Sequence, residues 1–119
     1  MDHKTILEKF SLSGRTSLVT GGGSGIGRSL CHALGEAGAK VAVVDIDLSA
    51  AETVRNELHA RGMQAIAIRT DVTSESEVTT MVERVVDEWG TLTIAMNNAG
   101  IGMWRDSIAM TMEEWQSVI

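Results

Sequence analysis

Five glycines in eight residues, TGGGSGIG at 20–27, constrain this chain more than any other stretch of it. Glycine loses more conformational freedom on folding than any other residue, so a run of glycines belongs where the backbone turns sharply or approaches something closely. RTSLVT (15–20) precedes them as a short strand-like run. After them Ile26, Leu30, Ala33, Leu34 and Ala37 fall at i, i+4, i+7, i+8 and i+11, one face of a helix. Gly38 then stands where a C′ glycine belongs.

The alternation continues. KVAVVD (40–45) reads as a strand that is apolar on both faces, as a buried parallel strand must be. Ser49-x-x-Glu52 has the form of a capping box, with Ala51, Val54 and Leu58 on one helix face and Gly62 closing it. QAIAIRTDV (64–72) is the third expected strand. Ser74-x-x-Glu77 opens a helix with Val78, Met81, Val82, Val85 and Trp89 inward and Gly90 after it. LTIAMN (92–97) is the fourth strand. A looser stretch containing GIGMWRDS follows, and Thr111-x-x-Glu114 signals one more helix, with Trp115, Val118 and Ile119 as its apolar positions. Strands alternating with amphipathic helices predict an α/β fold around a parallel sheet.

Charge narrows the partners. Ten Lys and Arg against 16 Asp and Glu give a net charge of −6. That argues against a nucleic-acid binder, which carries a basic stripe, and against an anionic membrane surface. No apolar run reaches membrane-spanning length, and MDHKTILEKF lacks the apolar stretch of a signal peptide. The single cysteine, Cys31, excludes an intrachain disulfide and suits a reducing cytoplasm, the expected location.

A glycine loop between a buried strand and a helix N-terminus suits phosphate, because unpaired N–H groups and the positive end of the helix dipole meet there. In this reading Gly21 makes the turn off the strand, Gly25 allows close backbone approach, and Gly27 allows tight helix–strand contact. Asp45 ends the second strand 18 residues past Gly27. A carboxylate there accepts hydrogen bonds from the adenosine ribose hydroxyls of NAD and repels a 2′-phosphate. Neither Arg nor Lys lies within the loop or just after Asp45, and Arg28 belongs to the helix, so NAD is favoured over NADP. The competing reading makes Asp45 a turn or capping residue, a role that Asp47 also offers.

The remaining candidates carry less. His3 lies on a tail, and His32 and His59 lie on helices away from the loop, where solvated or packing roles are expected. Cys31 reads as a small buried hydrophobe, with no neighbours at metal-ligand spacing, and no metal site is expected. Met103, Met110, Met112 and Trp104 could approach a cleft, although packing is the expectation for each.

Together these residues resemble the short-chain dehydrogenase/reductase family, classical type. TGGGSGIG is similar to its T-G-x-x-x-G-I-G cofactor loop, Asp45 stands at its NAD-selecting position, DVT (71–73) resembles its adenine-contacting turn, and NNAG (97–100) resembles its motif after the fourth strand. The closing MEEWQSVI is similar to the segment leading into the family's next long helix. The resemblance covers essentially the whole chain. It implies a cofactor set of Gly21, Ser24, Gly25, Ile26, Gly27, Asp45, Ile46, Asp71, Val72, Asn98, Ala99 and Gly100. Asp71 would bind the adenine amino group with Val72 beside the ring. Asn98, Ala99 and Gly100 would floor the ribose, largely through backbone. Ser24 and Ile26 would touch the phosphates, and Asn97 would tie strands together. The family usually has Asp where this chain has Thr93, an exchange expected to weaken a structural hydrogen bond rather than cofactor binding.

The resemblance also implies hydride transfer between a nicotinamide and a small-molecule alcohol or carbonyl substrate, such as a sugar or polyol, with a Tyr–Lys pair as acid/base. This sequence has no Tyr, and its three Lys, at 4, 9 and 40, match nothing catalytic. No catalytic residue is therefore assigned. The chain is expected to be the NAD-binding part, residues 1–119, of a single-domain enzyme whose catalytic part lies beyond it and which forms a homo-oligomer at full length. The alternative is a non-catalytic module that binds nucleotide or acts through its exposed fourth-strand edge. Either way the expected fold is a Rossmann-type, doubly wound parallel sheet in three α/β/α layers, strand order 3-2-1-4, with ligand at the C-terminal ends of strands 1, 2 and 4.

Overall fold

A parallel strand covered on both faces has to bury side chains on both, and β2 (Lys40–Asp45) does so over its four central residues. The computed structural model describes residues 9–98 of the chain. Around β2 it arranges β1 (Thr16–Thr20), α1 (Gly25–Glu36), α2 (Leu48–Ala60), β3 (Ala65–Arg69), α3 (Glu75–Trp89) and β4 (Ile94–Asn97). The four strands are parallel in the order β3-β2-β1-β4, as expected, and form a Rossmann-like sheet.

The side-chain alternation of the strands builds the layers. Val19, Val41 and Val43 pack with Cys31 and Leu34 of α1 and with Val54 and Leu58 of α2. Leu18, Ala42 and Val44 pack on the other face with Val78, Met81 and Val85 of α3. β1 is buried throughout although Thr16, Ser17 and Thr20 are polar. A buried hydroxyl without a partner is costly. Ser17 Oγ donates to the Lys40 carbonyl at 2.8 Å, and Thr20 Oγ1 donates to the Met96 carbonyl at 3.4 Å. Thr93 Oγ1 accepts from the Thr16 amide and donates to the Thr16 carbonyl, both at 3.1 Å. A neutral hydroxyl therefore ties β4 to β1 where the resemblance leads one to look for an aspartate.

Several boundaries and faces differ from expectation. α1 turns Gly27, Cys31, Leu34 and Gly35 inward, while Ile26 is 72% exposed and Ala33 is exposed. The large apolar residues misplace the face because α1 approaches its neighbours through glycines. A Cβ on Gly35 would stand 2.5 Å from Met63 Sδ. The cap of α2 is Asp47, whose side chain accepts from the Ala50 amide at 3.2 Å, and not Ser49. Ser74 caps α3 as expected, but Glu77 turns to Arg69 and the Asp71 amide instead of completing a box. Val78, Met81 and Val85 of α3 are buried, whereas Val82 is exposed. β3 ends at Arg69 because 71–74 is a turn closed by the Asp71 carbonyl and the Ser74 amide. Ala99, Gly100, the GIGMWRDS segment and the expected final helix lie outside the described residues.

Cys31, His32 and His59 are held by neighbouring elements, and His3, Met103, Trp104, Met110 and Met112 lie outside the described residues. Burial pushes the Cys31 thiol up to about 12, so it stays protonated and inert at neutral pH. His59 Nε2 donates to the Ala65 carbonyl at 2.8 Å. Arg28 and His32 of α1 both meet Glu57 of α2, at 2.7 and 2.9 Å. Hydrogen bonds from Arg28 first, then His32, hold the Glu57 carboxyl down at about 2. A depressed carboxylate stabilises the fold above its unfolded value and loses that contribution as pH falls through its folded one. The pair is partly exposed, so Glu57→Gln is expected to cost less than about 1 kcal/mol at pH 7. In urea titrations the gap should shrink below about pH 4.5 and close near pH 2; a gap independent of pH would contradict the pairing.

Candidate functional site

Strand register brings the sequence-predicted residues to one edge of the sheet. Thr20 lies level with Val44 and Asn97, and Asp45 lies level with Arg69, so the loops leaving β1, β2, β3 and β4 all open on the same side. β2 and β3 lie to one side of β1 and β4 to the other. A parallel sheet that changes direction in this way leaves a crevice beyond its strand ends.

The glycine loop forms the floor of that crevice. Gly21 and Gly25 have φ of +63° and +56°, in the left-handed region that glycine enters without penalty. The two differ in their surroundings. A Cβ on Gly25 would meet nothing within 4 Å, whereas one on Gly27 would stand 2.0 Å from the Gly21 carbonyl oxygen. Gly27 is thus pressed under the turn, and Gly25 faces open space. The turn is held from β4: the Asn98 amide donates to Thr20 Oγ1 at 3.1 Å, and its side-chain Nδ2 donates to the Gly21 carbonyl at 3.3 Å. Asn98 thus supports the loop through its side chain, which the sequence reading had not assigned, and Thr20 joins the site as its anchor. Asn97 Oδ1 is buried without a hydrogen bond among the described residues.

The helix behind the loop has an open N-terminus. Asp47 and Ser74 cap α2 and α3 through their side chains, but Ser24, the exposed N-cap residue of α1, makes no such bond. α1 has no acidic residue in its first turn, whereas α3 has Glu75 and Glu77. Among the described residues, neither the N-cap side chain nor an acidic residue of the first turn offsets the first amides of α1. Ile26, at the start of α1, and Ile46, just after β2, are 72% and 60% exposed.

Asp45 is hydrogen-bonded to the loop itself. Its Oδ2 accepts from the Gly23 amide at 3.0 Å and its Oδ1 from the Asp47 amide at 3.0 Å. Both bonds are to backbone amides of the chain itself, so the turn role expected of this carboxylate is present, and it extends to the glycine loop. Asp71 Oδ1 accepts from the Thr73 hydroxyl at 2.6 Å and its amide at 3.0 Å. Those bonds hold the Asp71 carboxyl below the usual carboxylate range and orient it at the end of β3, with Val72 half-buried beside it. A separate groove of about 680 Å³, lined by Arg55, His59, Ala67, Arg84 and Trp89 among others, contains none of these groups.

A glycine open to solvent in a left-handed turn and a helix N-terminus offer backbone donors, and the carboxylate on the next strand end offers an acceptor, a combination that could hold an adenine dinucleotide. The pyrophosphate would lie at the amides and the ribose at the carboxylate.

Comparison with known proteins identifies the family. The sequence model of the short chain dehydrogenase family matches residues 15–119. The 5-keto-D-gluconate 5-reductase of Escherichia coli K12 is 36% identical over 110 residues, covering 92% of this chain and 43% of that protein. The crystal structure of a short-chain type dehydrogenase/reductase from Mycobacterium marinum superposes with a TM-score of 0.79 at 37% identity, over 97% of this chain and 47% of that one. A 7α-hydroxysteroid dehydrogenase solved with NADH and 7-oxo glycochenodeoxycholic acid gives 0.76 at 35% identity, over 91% and 42%. The chain spans about two fifths of the length of the curated relatives it matches. With the fold, the loop and the relatives in agreement, the chain belongs to the short chain dehydrogenase family.

Proposed function

We propose that residues 1–119 are the NAD-holding part of an oxidoreductase acting on an alcohol or carbonyl substrate. The observation that supports this reading is the open, left-handed Gly25 at the start of α1, in a loop whose Gly23 amide meets Asp45. In this reading the amides of the loop and of the first turn of α1 bind the pyrophosphate. Ser24 and Ile26 line that end, and Gly21 and Gly27 keep the turn tight. Asp45 accepts from the adenosine ribose hydroxyls, with Ile46 beside it. Asp71 takes the adenine amino group, Val72 flanks the ring, and Asn98, Ala99 and Gly100 floor the ribose. A bound nicotinamide supplies the hydride donor or acceptor.

In this reading NAD is preferred to NADP because Asp45 would repel a 2′-phosphate, and Arg69, level with Asp45, is tied to Glu77 at 2.8 Å. Arg28, the nearest in sequence to the loop, is tied to Glu57 at 2.7 Å. With no Tyr among the 119 residues, the family's acid/base pair has no counterpart here, and the chain alone holds the dinucleotide without turning it over. Homo-oligomer formation and a cytoplasmic location are proposed for the full-length enzyme on the family resemblance. Among the described residues no helix is long and apolar enough to cross a membrane. Amide shifts recorded on adding ADP-ribose test the placement. Changes centred on 21–27, 45–46, 71–72 and 98 are expected, and changes centred on the β3 groove would overturn it.

A further inference from the structure

A ring of contacts joins the glycine loop to the start of α2. Asp45 accepts from Gly23 through Oδ2 and from Asp47 through Oδ1. The Asp47 side chain accepts from the Ala50 amide. Ala50 closes the ring by packing on Gly23, where a Cβ would lie 2.7 Å from Ala50 Cβ and 2.9 Å from Asp45 Oδ2. Gly23 is not among the glycines with positive φ, so no left-handed turn demands glycine there. What glycine supplies at this position is the missing methyl group.

From this ring we propose that Ala50 is a positioning residue for dinucleotide selectivity: the small pair Ala50 and Gly23 sets how closely the loop meets α2, and so where the Asp45 carboxylate stands toward the adenosine ribose. The inference rests on the nucleotide reading above. Ala50 acts without touching the ligand. A larger group on either side of the contact moves the loop away from α2 and withdraws the Gly23 amide from Asp45. The carboxylate then keeps only the Asp47 amide, so its Oδ2 is released from the loop, and space opens where a 2′-phosphate would lie. Both residues are uncharged, so the effect runs through distance alone.

The test is a pair of substitutions read in two ways. Gly23→Ala should expose the residue-23 amide to hydrogen exchange. It should also weaken NAD binding about ten- to a hundredfold, the range for one hydrogen bond to a charged group. NADP should lose less, so the ratio of the two narrows. Adding Ala50→Gly removes the shortest overlap and should restore both amide protection and most of the NAD affinity. Ala50→Val should reproduce the Gly23→Ala effect from the helix side. A Gly23→Ala chain with an unchanged affinity ratio, or a double variant that recovers nothing, overturns the proposal. Amide protection that behaves as described in a chain whose parent binds neither dinucleotide defeats the nucleotide reading, and the selectivity role with it, leaving the ring as packing alone.

Discussion

Gly27→Ala should lower the stability of this chain by roughly 3 kcal/mol or more, as expected for an overlap that a well-packed interior cannot absorb. The added methyl would stand 2.0 Å from the Gly21 carbonyl oxygen and 2.7 Å from Asn98 Nδ2. The first of these atoms is backbone, so no side chain can swing away to make room. Either α1 leaves the sheet or the turn off β1 opens, and both carry Cys31 and Leu34 out of the core. Domains have only about 5–15 kcal/mol in total. Gly25→Ala is the control, since it adds the same methyl to the same loop with nothing within 4 Å. Its cost is the left-handed φ of an L-residue, about 1–2 kcal/mol. The first variant should lose its fold in urea far earlier than the parent. The second should keep the fold and lose NAD affinity, because the methyl fills the space left for the phosphates. A Gly27→Ala chain within about 0.5 kcal/mol of the parent would contradict the packing described.

Asp45→Ala should weaken NAD binding by about ten- to a hundredfold, as for loss of a hydrogen bond to a charged acceptor, and affect NADP much less. Two effects combine in that number. The carboxylate would no longer accept from the ribose, and the Gly23 and Asp47 amides would lose their acceptor. Asp45→Asn separates them, because the amide oxygen retains one acceptor while the charge is gone. It should relax the preference for NAD while disturbing the loop less. Equal affinities in parent and both variants, measured for NAD and for NADP, would remove Asp45 from the ribose.

Much of this was legible in the residues. The strand–helix alternation and the apolar faces of α2 and α3 follow from periodicity, and the sheet order appears as expected. What escaped lies where glycine stands in for a core residue. Gly27 and Gly35 carry the contact face of α1, so counting large apolar side chains rotated the helix and left Ile26 in the wrong place. Cap choice failed at α2 because Asp47 and Ser49 both have capping side chains, and only the chain path out of β2 selects between them. At the site, the position of Asp45 was readable from its distance along the chain. Its bond to Gly23, the grip of Asn98 on the turn and the fit of Ala50 against the loop are contacts between distant segments. No local pattern encodes them.

Calorimetric titration of the chain with NAD and, separately, with NADP tests the central claim most directly. Saturable binding that is tighter for NAD, and lost in Gly25→Ala while the fold is kept, is the result expected of a glycine loop that works with Asp45. A folded chain that binds neither dinucleotide, or that prefers NADP, would contradict it.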